Sequence, residues 1–67
     1  MKDKPDYSGM TVNERLFTAG LLDAWDEAVR FKNRDRMIEL LHEVDISADD
    51  AAPISDGVLA NPKFYGF

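Results

Sequence analysis

The sequence predicts an all-α domain: a small three-helix bundle with an extended N-terminal arm and a C-terminal aromatic tail packed on the helices. Three observations carry that expectation. Apolar residues recur at helical spacing in three separate stretches. Capping and stop signals fall around them, at "TVNE", "FKNRDR", "DISADDAAP" and "NP". The chain has 67 residues and no cysteine, so neither disulfides nor thiolate metal sites can hold it, which leaves packing or self-association.

Residues 1–10 are charged and carry Pro5 and Gly9, which reads as an extended or flexible arm with Tyr7 and Met10 as its apolar contacts. A single domain is expected over 11–67. The stretch "TVNE" has the form of a capping box, in which Thr11 and Glu14 satisfy each other's backbone amides and start a helix. From Leu16 to Phe31, the residues Phe17, Leu21, Leu22, Ala24, Trp25, Ala28, Val29 and Phe31 gather on about half the helical wheel. Asp23, Asp26, Glu27 and Arg30 take the opposite side. Gly20 is read as interrupting this first helix without breaking it, at about 1 kcal/mol relative to alanine.

At "FKNRDR", Asn33 can take the left-handed conformation that ends a helix, and Asn33 or Asp35 can cap the next. The second helix, about Asp35 to Val44, places Met37, Ile38, Leu40, Leu41 and Val44 on one side. Ser47, Asp49 and Asp50 are all competent caps for a third. Proline is tolerated best in a first turn, so Pro53 favours a start near Asp50 over one at Ser47. Pro62 ends that helix. The first helix is expected to be the hub, with Trp25, Leu21, Leu41 and Ile54 central. Burying Phe64, Tyr65 and Phe67 would contribute roughly 1.5–3 kcal/mol each, comparable to the whole stability of so small a domain.

The function classes are narrowed mainly by charge and by incomplete residue sets. Thirteen acidic residues against eight basic give a net charge of -5, which repels phosphate backbones and argues against nucleic acid as a partner. No stretch approaches the roughly 20 apolar residues of a membrane span, and "MKDKPDYSGM" lacks the apolar core of a signal peptide, so a cytoplasmic protein with no membrane partner is expected. His42 is the single histidine and has no evident nucleophile or second ligand. Asp45, Ser47, Asp49 and Asp56 fall on a calcium-loop register, yet Asp50 stands where the loop needs glycine, and helix capping explains the same residues. Arg30, Lys32, Arg34 and Arg36 cluster at the first turn, but the following "MIELLHEV" offers Glu39 and Glu43 to any base edge. No metal, cofactor or catalytic residue is therefore expected.

Two surfaces remain as candidates for a protein partner. One is the carboxylate face Asp23, Asp26 and Glu27, suited to a basic partner. The other is the tail Phe64, Tyr65 and Phe67, which forms either part of the core or an aromatic peptide for a partner's groove. The stretches "YSGMTVNERLFTAGLLDAWDEA", "RDRMIELLHEV" and "VLANPKFYGF" resemble a group of short bacterial proteins of no known function. The resemblance spans nearly the whole chain and implies a small helical domain, without supplying an activity. The expected function is a non-enzymatic interaction module, an adaptor, regulator or inhibitor of another protein, with a homodimer as a further option. The alternative is an acidic inhibitor of a nucleic-acid-binding protein. A DNA-binding regulator and an enzyme rank below both.

Overall fold

A computed structural model of the chain describes residues 6–65, with the side chains of Phe64 and Tyr65 outside the description. Those residues form four helices where the sequence predicts three: α1 (Val12–Thr18), α2 (Leu22–Arg30), α3 (Arg34–Glu43) and α4 (Ala48–Ala60), followed by a 3-10 turn at Pro62–Tyr65. The all-α class stands. The additional helix comes from Gly20, which breaks the first predicted helix in two.

α1 begins as its sequence dictates. The Thr11 hydroxyl accepts from the Glu14 amide at 3.2 Å, and the Glu14 carboxylate accepts from the Thr11 amide at 2.9 Å. It then ends within two turns, because Gly20 adopts φ +74°. The Gly20 amide donates to the Phe17 carbonyl at 3.0 Å and the Leu21 amide to the Leu16 carbonyl at 2.8 Å. This pair of bonds is the Schellman closure, which satisfies carbonyls that a helix end leaves bare.

The same closure recurs at the next two corners. Lys32 and Asn33 donate to Val29 and Ala28 at 3.0 and 2.8 Å, while Asp45 and Ile46 donate to His42 and Leu41 at 3.2 and 3.1 Å. The left-handed residues there are Lys32, φ 54°, and Asp45, φ 66°. Asn33, expected as either terminator or cap, is the cap: its side chain accepts from the Arg36 amide at 3.2 Å.

The corner at Gly20 resets the helical phase, so the apolar side predicted for Leu16 to Phe31 is not one face. Leu16, Trp25, Ala28 and Val29 are buried, whereas Phe17 and Phe31 stand 73% and 74% exposed. The hub also moves. α3 packs against α1, α2 and α4, and its Met37, Leu40 and Leu41, with Val44 just beyond, follow the three- and four-residue spacing of a wholly buried stripe. Of the residues expected at the centre, Trp25 and Leu41 are buried, while Leu21 and Ile54 are half-buried.

α4 starts at Ala48, with Ser47 in the N-cap position, rather than near Asp50. Starting there lines up Ala51, Ser55 and Val58 on the core side, and leaves Pro53 exposed in the second turn. The bond that proline cannot donate would have gone to Asp49, itself exposed, so the loss falls on the solvent side. Ser55 is fully buried, and its hydroxyl has no hydrogen-bond partner among the described residues.

Residues 6–10, expected as part of an extended arm, make a tight turn. The Met10 amide donates to the Tyr7 carbonyl at 3.0 Å, Gly9 sits at φ +77°, and the Asp6 carboxylate accepts from the Ser8 amide at 3.0 Å. Tyr7 thereby enters the core, only 4% exposed. Residues 1–5 lie outside the described residues, as does Phe67. The expectation that Phe64, Tyr65 and Phe67 pack on the helices therefore falls outside the described side chains.

Arg15 ties this turn to the bundle. Its guanidinium donates to the Met10 carbonyl at 3.2 Å, the Val44 carbonyl at 2.9 Å and the Asp45 carbonyl at 3.3 Å, and lies 6.0 Å from the centre of the Tyr7 ring. A cation placed on the carbonyls just past the end of α3 also meets the negative end of the helix dipole.

Two expectations can be checked by urea unfolding. Arg15→Ala is expected to remove about 2–3 kcal/mol, because several charge-assisted bonds go and a shielded carbonyl loses its donor. Gly20→Ala is expected to lose about 1–2 kcal/mol through backbone strain alone, with Lys32→Gly raising stability by up to about 1 kcal/mol. Among the described residues, no heavy atom beyond its own chain neighbours stands within 4 Å of a Cβ built at Gly20, so a cost that vanishes with D-alanine at that position identifies φ as its source.

Candidate functional surface

α2 shows its polar side between two corners. Asp23, Asp26, Glu27 and Arg30 follow helical spacing, so they stack along one face; Asp26 is half-buried and the others are exposed. Phe31 caps the helix beside them. Asp23, Ala24, Asp26, Glu27, Arg30 and Phe31 together line a shallow hollow. A second hollow continues around the α2–α3 corner, where Phe31, Ala24 and Glu27 meet Ala28, Asn33 and Arg36. Phe31 thus stands between two depressions, each carrying charge.

The structure therefore brings the predicted residues Asp23, Asp26 and Glu27 onto one surface. It adds Phe31, which the helical wheel assigns to the core. The available sequence signal was spacing: Phe31 lies four residues after Glu27, at the edge of the apolar half, and its amide still donates to the Glu27 carbonyl at 3.0 Å.

The other constellations disperse. Asp45 occupies a left-handed corner, Ser47 and Asp49 begin α4, and Asp56 pairs with Arg34 across α3 and α4 at 2.6 and 3.3 Å. Among the described residues no three His, Cys, Asp or Glu side chains are grouped so as to hold a metal ion. His42 is exposed on α3. Arg36 bonds Glu39 at 2.9 Å, so two members of the basic group, Arg34 and Arg36, have carboxylate partners. A further hollow lies between the N-terminal turn and α4, bordered by Met10, Val12, Arg15, Ile46 and Ile54. No helix among the described residues is long and apolar enough to cross a membrane.

No protein-family model, curated protein or solved structure matches this chain.

The Arg34–Asp56 pair sets an acid dependence. The Arg34 guanidinium, chiefly by hydrogen bonding, holds the Asp56 carboxyl below its usual range, and Asp56 in turn raises Arg34. A carboxyl whose folded-state pKa is depressed contributes stability that is fully present above its unfolded value and is lost as pH falls through the folded one. Stability is therefore expected to decline as pH drops below about 4, the ordinary aspartate range. Asp56→Asn is expected to flatten that decline when unfolding is followed by circular dichroism across the acid range. Both side chains are largely exposed, so salt should shrink the effect.

Proposed function

We propose that this protein is a non-enzymatic interaction module that acts in the cytoplasm by binding another protein, as an adaptor, regulator or inhibitor. The observation that carries this reading is the pair of large aromatics left in water among the described residues, Phe17 and Phe31, on a body small enough to need its apolar residues inside. Aromatic side chains are enriched among residues that anchor protein interfaces, where they supply large contact area. The tail residues Phe64, Tyr65 and Phe67 belong to the same reading as a second contact region. A homodimer is its self-association form.

The alternative, an acidic inhibitor of a nucleic-acid-binding protein, draws support from the alignment of Asp23, Asp26 and Glu27 on one face of α2. The two readings differ in salt response. Binding anchored by aromatics loses at most several-fold in affinity at high salt, whereas binding through carboxylates alone falls steeply.

Capture from a lysate of the native host, followed by reconstitution with the purified candidate, tests the module reading. The expected result is a stoichiometric complex in size-exclusion chromatography, weakened by Phe17→Ser or Phe31→Ser with the helical fold retained. If no recovered protein reconstitutes a complex, and the chain runs alone as a monomer, the reading fails.

A further inference from the structure

We infer that the hollow around Phe31 on α2 seats a basic segment of a partner protein, with a lysine or arginine side chain laid against the ring and held by the carboxylates of Asp23, Asp26 and Glu27. This inference rests on the interaction-module reading and specifies its site and its partner chemistry.

The argument is one of complementarity. Three carboxylates and one guanidinium, that of Arg30, line the same hollow as an aromatic ring that is 74% exposed. The ring's face is negative by its quadrupole and attracts a cation, and the neighbouring carboxylates supply the full charges that fix that cation in place. Phe31 and Ala24 provide the apolar floor on which the methylene stem of a long cationic side chain can lie. Like charge disfavours the other obvious occupants. A second copy docking the same face would bring another Asp23, Asp26 and Glu27 against the first set, and nucleic acid or an anionic lipid surface would meet the carboxylates directly. The two corners hold the platform: α2 is closed at one end by Gly20 and at the other by Lys32. The backbone positions that carry the carboxylates and the ring therefore keep one relative placement, which leaves only side-chain ordering to binding.

The test uses the full chain, isotope-labelled for NMR, and three synthetic amphipathic peptides of equal length and identical apolar positions, whose polar positions are all lysine, all glutamine or all glutamate. The lysine peptide is expected to shift the amides from Asp23 to Phe31 in preference to the rest. Its affinity is expected to fall by about ten-fold or more in Phe31→Ser, and likewise in the triple variant Asp23→Asn, Asp26→Asn, Glu27→Gln. It should also weaken several-fold between about 50 and about 300 mM salt. Circular dichroism of each variant checks that the fold is kept.

Four outcomes overturn the inference. One is an unchanged affinity in Phe31→Ser, which would reduce the binding to general attraction toward an acidic chain. Another is equal binding of the glutamine peptide. The third is concentration-dependent self-association through the same amides, which would make a second copy the occupant. A native partner bound equally by the wild type and by both variants would leave the module reading intact and remove this site.

Discussion

The guanidinium of Arg15 is the contact on which the arrangement of the N-terminal half depends. It reaches backward to the Met10 carbonyl and across to the carbonyls of Val44 and Asp45, with the Tyr7 ring beside it. One planar group with several fixed donors can satisfy carbonyls on two segments at once, which a lysine's single ammonium cannot do in the same geometry. The consequence is that α1, only seven residues long, need not be stable by itself. Its place is set by a polar clamp at one side and by Leu16 in the core at the other. The clamp also explains how Tyr7 is retained inside, although it lies before the first helix.

A second constraint is the repeated corner. Three helices end in the same two-bond closure with one left-handed residue, and only the first uses glycine there. Because each corner redirects the chain within a few residues, the other three helices can pack around α3 without long loops. The arrangement buries most of the aliphatic residues around α3 and leaves the cap residue Phe31 outside. Folding geometry and surface chemistry therefore meet at one place, the end of α2. There the ring lines the same hollow as the carboxylates that the helix presents.

Much of this was legible in the residues themselves. The box at Thr11 and Glu14, the cap at Asn33 and the stripe of Met37, Leu40, Leu41 and Val44 each rest on local rules with few competing solutions. Gly20 was misread because glycine accepts both hands of φ, and the apolar wheel around it remains continuous on paper. The start of α4 was displaced because the proline rule concerns the backbone bond lost, whereas which side of the helix loses it depends on tertiary placement. Arg15 gave no signal, since its acceptors are backbone carbonyls that any residue type carries. The carboxylate face was readable from spacing on one helix. Its joining to Phe31 was missed, because a wheel drawn continuously from Leu16 counts that ring with the apolar half, although it lies four residues after Glu27 at the edge of that half.

The corners also bear on how quickly the structure forms and opens. Helices joined by such short connections make most of their contacts between residues near in sequence, and little chain entropy must be surrendered before those contacts form. Domains of that kind fold on the microsecond-to-millisecond scale. At the modest stability that a core of this size supplies, a fast folding rate implies frequent unfolding as well, so the native state is in constant exchange with open forms. Persistence of the fold then rests on the speed of reclosure more than on a high barrier to opening. A bound partner would lengthen the closed intervals by mass action, without altering the architecture.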